Sequence, residues 1–398
     1  MISHLKKQDQ EKSNGLLPGD SSGCRLVWLD LAKGIGMALV LTGHAPREWM
    51  QESYPSIKFL FCFIYAFHMP FFFALSGMAY EYAAQRGRKK SCISYIKDKV
   101  HKLLIPWFCF AAILYLFFFL ASLLPFAGRI LSGSSFALIP VKDYVRLTIL
   151  ERNPYGEHIW YIYVLFIIQS IYRVYELAYE KTLGRWCGEA FGTALAVILS
   201  IIAYWAFWPV HHIADCVKTY AMYYLYGVLL ARYAGDRTEK WVFPSAAAGL
   251  GLTCMYTAGL ALEMVEAAWI RHLLFNVEVF FGIPLMILFL IAVSQILGKR
   301  GQHPLLRWLG LHSYSVYLLH QPFACGLLGI VLSSLLPHTY GWVLFTMAGC
   351  FLASIIFPVI VSGIGYYLGL GKVLKNLFQI EDLTCNILGG EMRIKSGK

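Results

Sequence analysis

The stretch Arg25 to Ala45, RLVWLDLAKGIGMALVLTGHA, decides the fold. It is an apolar run of about the 20 residues that a helix needs to cross the hydrocarbon core of a bilayer, yet it carries Asp30, Lys33 and His44. Ionisable groups at membrane depth are expensive and usually functional. On a helix turning about 100° per residue, Lys33 and His44 fall about 20° apart on one face and roughly 16 Å apart along the axis. Asp30 lies one turn before Lys33, at the i, i+3 spacing where opposite charges become neighbours. One stripe of one helix therefore bears an acid, a cation and an imidazole. A plainer reading of the same residues is a neutralised Asp30–Lys33 pair near an interface and a His44 that only satisfies a hydrogen bond.

The rest of the chain agrees with a membrane setting. It is 58% hydrophobic and 14% charged, with a mean hydropathy of +0.57, which excludes an ordinary soluble globule. Apolar segments recur from Leu26 to Leu370 with short gaps, so the expected fold is all-α, a polytopic membrane protein of about ten transmembrane helices. The expected spans are Leu26 to Ala45, Ile57 to Tyr80, Leu103 to Pro125, one from near His158, Ala190 to Trp208, Tyr220 to Tyr233, Trp241 to Leu262, His272 to Leu297, Leu311 to Leu335 and Tyr340 to Leu370. Residues 1–24 read as a flexible tail, 25–371 as one transmembrane domain and 372–398 as a second tail. The first apolar run is too long and too charged for a secretory signal.

Net charge is +11, but the excess sits in loops and tails, where positive-inside bias explains it without nucleic acid as a partner. The loop after the second span holds Arg86, Arg88, Lys89, Lys90, Lys97, Lys99 and Lys102, which marks it as cytoplasmic and, with an even number of spans, places both termini in the cytoplasm. Lys33 then lies in the cytoplasmic half of the first span and His44 near its outer end. Ten cysteines are scattered without a CxxC or a zinc-ligand spacing, and His211–His212 with Asp215 has no evident third ligand, so no metal is expected. No GxSxG, P-loop, GxGxxG or HExxH occurs, and no inverted repeat of the kind found in many transporters is evident.

The first span also resembles the opening helix of the acyltransferase 3 family of integral membrane acyltransferases. That family's motif is a basic residue, ten residues, then histidine; here it reads Lys33, ten residues, His44. WLDLAKGIGMALVLTGH with FHMPFFFALSG downstream is most similar to the fucose 4-O-acetylase-like subgroup. The resemblance covers about Arg25 to Leu370 and implies an O-acyltransferase, with an O-acetyltransferase using acetyl-CoA as the form expected here. The acceptor would be a glycan or glycolipid hydroxyl of the cell envelope or an exported polymer, the location a bacterial inner membrane, and the partners the lipid bilayer and polysaccharide-assembly proteins.

Such a transfer needs a base for the hydroxyl proton, a group for the developing oxyanion and a donor site. His44 is the candidate base, since its unperturbed pKa near 6.5 suits the role. Lys33, with Asp30 as its partner, would hold the donor or orient the site. In YIKDKVHKLLIP, Lys99 and Lys102 are one turn apart just before the third span and are expected to bind the donor's phosphates. DKVHK stands where the family usually has RRxxR, with Asp98 at one of the basic positions. His68 before Met69–Pro70, His158 and Trp160 in EHIWY, and His320 before Pro322 in SYSVYLLHQP are candidate substrate residues. Each also has an ordinary structural reading, as a hydrogen-bonded histidine or an interfacial tryptophan. A transporter using the Lys33–His44 stripe as a proton or solute path is the competing function, and a scaffold that uses it for helix pairing is the second.

Overall fold

The computed structural model describes residues 26–125, 136–184, 186–206, 211–235, 238–261, 263–301, 303–381 and 383. Among them the chain is helical throughout, with no strand. The long helices are α1 (Val27–His44), α2 (Pro55–Ala83), α3 (Cys92–Leu123), α4 (Trp160–Lys181), α5 (Glu189–Ala206), α6 (His212–Leu229), α7 (Val242–Ala261), α8 (Ala268–Arg300), α9 (Ser313–Leu335) and α10 (Tyr340–Tyr367). Six of these, α2, α3, α5, α8, α9 and α10, are long and apolar enough to cross a membrane. In the other four, 18 to 22 residues long, polar side chains interrupt the apolar run: Asp30, Lys33 and His44 in α1, Gln169, Arg173 and Glu176 in α4, Asp215 and Lys218 in α6, and Ser245, Thr253 and Thr257 in α7.

Boundaries shift where the backbone continues past the apolar run. The third expected span begins near Leu103, but the helix already starts at Cys92, capped by the Ser91 hydroxyl, and passes a wider turn at Val100–Leu104. Likewise α6 starts at His212, ahead of the apolar run at Tyr220. A short helix, Val141–Leu150, occupies part of the connection before α4; residues 126–135 of that connection lie outside the described residues. The chain continues past the last span as an amphipathic helix, Gly371–Phe378, and Phe378, Ile380 and Leu383 are buried in one core cluster with Trp107 and Phe110 of α3. The N-terminal tail lies outside the described residues.

Small residues let backbones approach where no hydrophobic effect drives association, because lipid is as apolar as leucine. Gly34 of α1 meets the Leu306 carbonyl of the short helix Pro304–Leu311, and Gly310 of that helix meets the Asp30 carbonyl; a Cβ at either position would collide with the facing backbone. Gly77 of α2 and Gly227 of α6 make the same kind of contact with the carbonyls of Tyr224 and Ala74. These seams fix α1 between α2, α8 and Pro304–Leu311, and α2 against α6. The charged stripe of the first helix thus faces protein.

Polar side chains in the bundle are paired across helices. Arg232, just beyond α6, places Nε 3.0 Å and Nη2 2.7 Å from the two carboxylate oxygens of the buried Glu81 of α2. In α4, Arg173 donates to Glu176 at 2.9 Å, and the Tyr80 hydroxyl donates to the same carboxylate.

Candidate active site

Histidines from three distant parts of the chain converge at the end of α1. His44 closes that helix, and its Nδ1 lies 3.1 Å from the Tyr65 hydroxyl of α2. Its ring centroid is 5.2 Å from that of His320, and its backbone carbonyl accepts a bond from the Cys325 thiol at 3.0 Å. His320 is fully buried in α9 beside a break in the helix, where Gln321 is extended (φ −125°, ψ 149°) ahead of Pro322. Proline interrupts the intrahelical ladder at such a point. His320 Nδ1 donates to the Tyr317 carbonyl at 2.6 Å, which leaves Nε2 as the lone-pair nitrogen. That Nε2 is buried without a hydrogen-bond partner.

His158 completes the group from the 3-10 turn Glu157–Ile159 that leads into α4, with its ring 5.1 Å from that of His320. Two contacts to α9 hold it: His158 Nε2 donates to the Leu318 carbonyl at 3.4 Å, and the Tyr317 hydroxyl donates to the His158 carbonyl. The approach to this turn is set by buried Asn153, whose side-chain oxygen accepts from the backbone N–H of Tyr155 (3.0 Å) and Gly156 (2.8 Å) while its amide donates to Tyr144 and Thr148. His68 is buried one turn after Tyr65, donates Nδ1 to the Ile64 carbonyl at 2.9 Å, and packs edge-on against the Tyr65 ring at 4.7 Å.

A cavity of about 170 Å³ lies on the Lys33 side of this cluster. Its wall includes Lys33, Met69, Ser76, Tyr161, Tyr314 and Tyr317. Tyr161 bonds Ser76 at 3.3 Å, and the Tyr314 hydroxyl is buried without a partner. The rings of Tyr161 and Tyr317 are 5.6 Å apart, and Tyr317 in turn packs on His158 (5.4 Å) and His320 (5.8 Å). Tyr317 thus stands between the cavity that Lys33 lines and the histidines His158 and His320, and three helical turns separate Lys33 from His44. Asp30 is 2% exposed, one turn before Lys33.

The remaining candidates lie outside this group. Trp160 stacks on Tyr220 (5.3 Å) and Phe73 (6.4 Å) and meets His212 edge-on (6.1 Å). His211 and His212 point to different partners: Glu151 accepts from the His212 backbone N–H (3.0 Å) and from His211 Nδ1 (3.2 Å), which together hold its carboxyl below the ordinary carboxylate value, and Arg152 Nε donates to His212 Nε2 (2.9 Å). Among the described residues no group of three or more His, Cys, Asp or Glu side chains has a geometry suited to a metal ion. In the basic segment, Lys102 pairs with Asp98 at 3.1 Å and Lys99 sits 5.2 Å over the Tyr95 ring.

The tyrosines are the functional candidates that residue-by-residue reading missed. A signal for them exists in the spacing: Tyr65 and His68, His158 and Tyr161, and Tyr317 and His320 each stand three residues apart, the separation that puts two side chains on one helical face.

Neither the curated proteins nor the solved structures give a match to this chain. The acyltransferase 3 family model, described as an acyltransferase domain, matches residues 26–366, which include every histidine of the cluster and the whole cavity wall. The chain belongs to that family: it is a multi-pass membrane acyltransferase, transferring acyl groups other than amino-acyl groups.

Proposed function

We propose that the protein moves an acetyl group from cytoplasmic acetyl-CoA to a hydroxyl of a cell-envelope or exported glycan, within the fucose 4-O-acetylase-like subgroup. In this reading α1, α4, α6 and α7 cross an inner membrane together with the six more apolar helices, giving ten spans with both termini in the cytoplasm. The observation that carries it is the cavity lined by Lys33 and by Tyr317, which packs on His158 and His320, with the His320 ring in turn against His44. A donor entering from the Lys33 side would bring its thioester towards imidazoles at the opposite membrane face. Family membership disfavours the transporter alternative.

The chemistry follows from the hydrogen bonds. In the tautomer in which His44 Nδ1–H donates to the Tyr65 oxygen, Nε2 keeps its lone pair and takes the proton of the acceptor hydroxyl. The oxygen then attacks the thioester carbonyl, the carbon–sulfur bond breaks, and the imidazolium returns its proton to the departing thiolate. Lys33 and Asp30 would steady the donor, His158 and His320 would orient the acceptor or share the proton, and Lys99 and Lys102 would meet the donor's phosphates. His68 and Trp160 would line the acceptor's approach.

The test is the O-acetyl content of envelope glycans in a deletion strain complemented with wild type, His44→Ala or Lys33→Ala at matched membrane levels. Wild type should restore the esters; His44→Ala should lower the rate by about 10² to 10⁴, the usual worth of a general base. Normal acetylation by His44→Ala refutes the base assignment. If no acetyl ester depends on the gene, the donor and acceptor are wrong.

A further inference from the structure

The basic segment at the start of α3 holds an anion of its own. Asp98 lies between two lysines, with Oδ1 3.0 Å from Lys90 Nζ and 3.1 Å from Lys102 Nζ. Lys90 reaches it from the strap that joins α2 to α3, and this strap is fastened to α4 at two points. Arg173 donates to the Lys90 carbonyl at 2.9 Å, and Lys89 pairs with Glu180 at 2.6 Å. The strap turns at Gly87, whose φ of 69° lies in the left-handed region that glycine enters without cost. Two ammonium groups are thus converged on one carboxylate by chain segments that are themselves held in place. Both lysines remain about half exposed, and Asp98 is less so.

Two lysine ammoniums about 3 Å from a shared oxygen are the arrangement that a phosphate monoester dianion would take up. We propose that Asp98 is an internal counter-anion occupying a two-lysine phosphate site, and that a ligand's phosphomonoester binds there by displacing it from Lys90 and Lys102. Exposed ion pairs are individually weak, so a dianion carrying more charge than one carboxylate can replace Asp98. The inference rests on the acetyl-CoA reading above, since the 3′-phosphate of that donor is a phosphomonoester. It adds Lys90 to the donor site and gives Asp98 a restraining role there. The same phosphomonoester chemistry could also come from a phosphatidic acid headgroup, which the experiment separates.

Full-length protein in nanodiscs of zwitterionic lipid is titrated with acetyl-CoA and with 3′-dephospho-acetyl-CoA, comparing wild type with Asp98→Asn. Asp98→Asn should bind acetyl-CoA roughly tenfold more tightly, about 1.4 kcal/mol, and should gain little for the dephospho form. In turnover it should lower the KM for acetyl-CoA and leave kcat unchanged, a split that a merely structural role would not give. Lys90→Ala added to Asp98→Asn should abolish the gain, and Asp98→Ala serves as a second variant should Asp98→Asn fold poorly. Equal or weaker binding by both Asp98 variants, with wild type binding normally, overturns the displacement idea and leaves the donor reading intact. A gain that is the same for both nucleotides overturns the phosphate assignment. Loss of the gain when phosphatidic acid, whose headgroup is a phosphomonoester, is included in the zwitterionic bilayer assigns the site to lipid headgroups and overturns the donor assignment of Asp98. No binding of acetyl-CoA by any form overturns both readings.

Discussion

Replacing Tyr65 by phenylalanine isolates one contact of the proposed base. The substitution removes the hydroxyl 3.1 Å from His44 Nδ1 and keeps the ring, which stacks on Phe61 at 4.0 Å and packs edge-on against His68 at 4.7 Å. In the ground state the bond joins two neutral groups, worth about 0.5 to 1.5 kcal/mol net. When His44 accepts a proton the ring becomes cationic, and a hydrogen bond to a charged group is worth about 1.5 to 3 kcal/mol. Only the difference between these values slows the chemical step. Tyr65 is 37% exposed, so water can take the place of part of the lost bond, which points to the lower half of the range. The difference is about 1 to 1.5 kcal/mol, and its lower half gives an expected fall in kcat of about 5- to 8-fold, on a scale where about 1.4 kcal/mol is tenfold, with the KM for the acyl donor unchanged. The assay is transfer of radiolabelled acetyl from acetyl-CoA in membranes containing equal amounts of each protein. A Tyr65→Phe enzyme with wild-type kcat, or one whose defect lies wholly in donor KM, would refute the assignment of Tyr65 as the residue that orients His44.

Two further substitutions probe the scaffold. Gly310→Ala puts a methyl group against the Asp30 carbonyl, backbone that cannot yield as a side chain could; overpacking of this kind costs about 1 to 3 kcal/mol. A lower melting temperature in detergent and weaker acyl transfer are expected, and wild-type values for both would show that Pro304–Leu311 does not hold α1. Arg232→Ala strands the buried Glu81 carboxylate, a loss of about 3 to 5 kcal/mol when one partner of a buried pair is removed. Arg232→Ala with Glu81→Gln should recover much of the stability, and a double variant no more stable than the single one would contradict the pairing.

How far the sequence could be read depended on whether the information was local. The Asp30–Lys33–His44 stripe was legible because its meaning follows from helical spacing within one apolar run, and the structure brings Lys33 to a cavity wall and His44 to other histidines. Helix ends were less legible, because α3 and α6 extend beyond their apolar segments into residues whose polarity hides the continuation. The contact of Gly34 and Gly310 with facing backbone was not legible at all, since a close approach between positions so far apart leaves no periodic mark. The convergence of His158 and His320 on His44 was hidden for the same reason, and composition alone left each of them equal to a structural histidine. Charge spacing left one set of contacts unseen. Lys99 and Lys102 share a face by the i, i+3 rule, yet the i, i+4 pairing of Asp98 with Lys102 captures one of them, while Lys99 lies over Tyr95.

The order of the three histidines along the chain has a consequence for biogenesis. His44 is synthesised with the first long helix, His158 at the start of the fourth, and His320 only in the ninth. A nascent chain still on the ribosome, or one truncated before α9, carries Lys33 and His44 but has no partner for the His44 ring from α9. The trio forms only after nearly the whole bundle has assembled, so partly synthesised copies lack the complete histidine group and, under the function proposed above, could not use it to consume acyl donor.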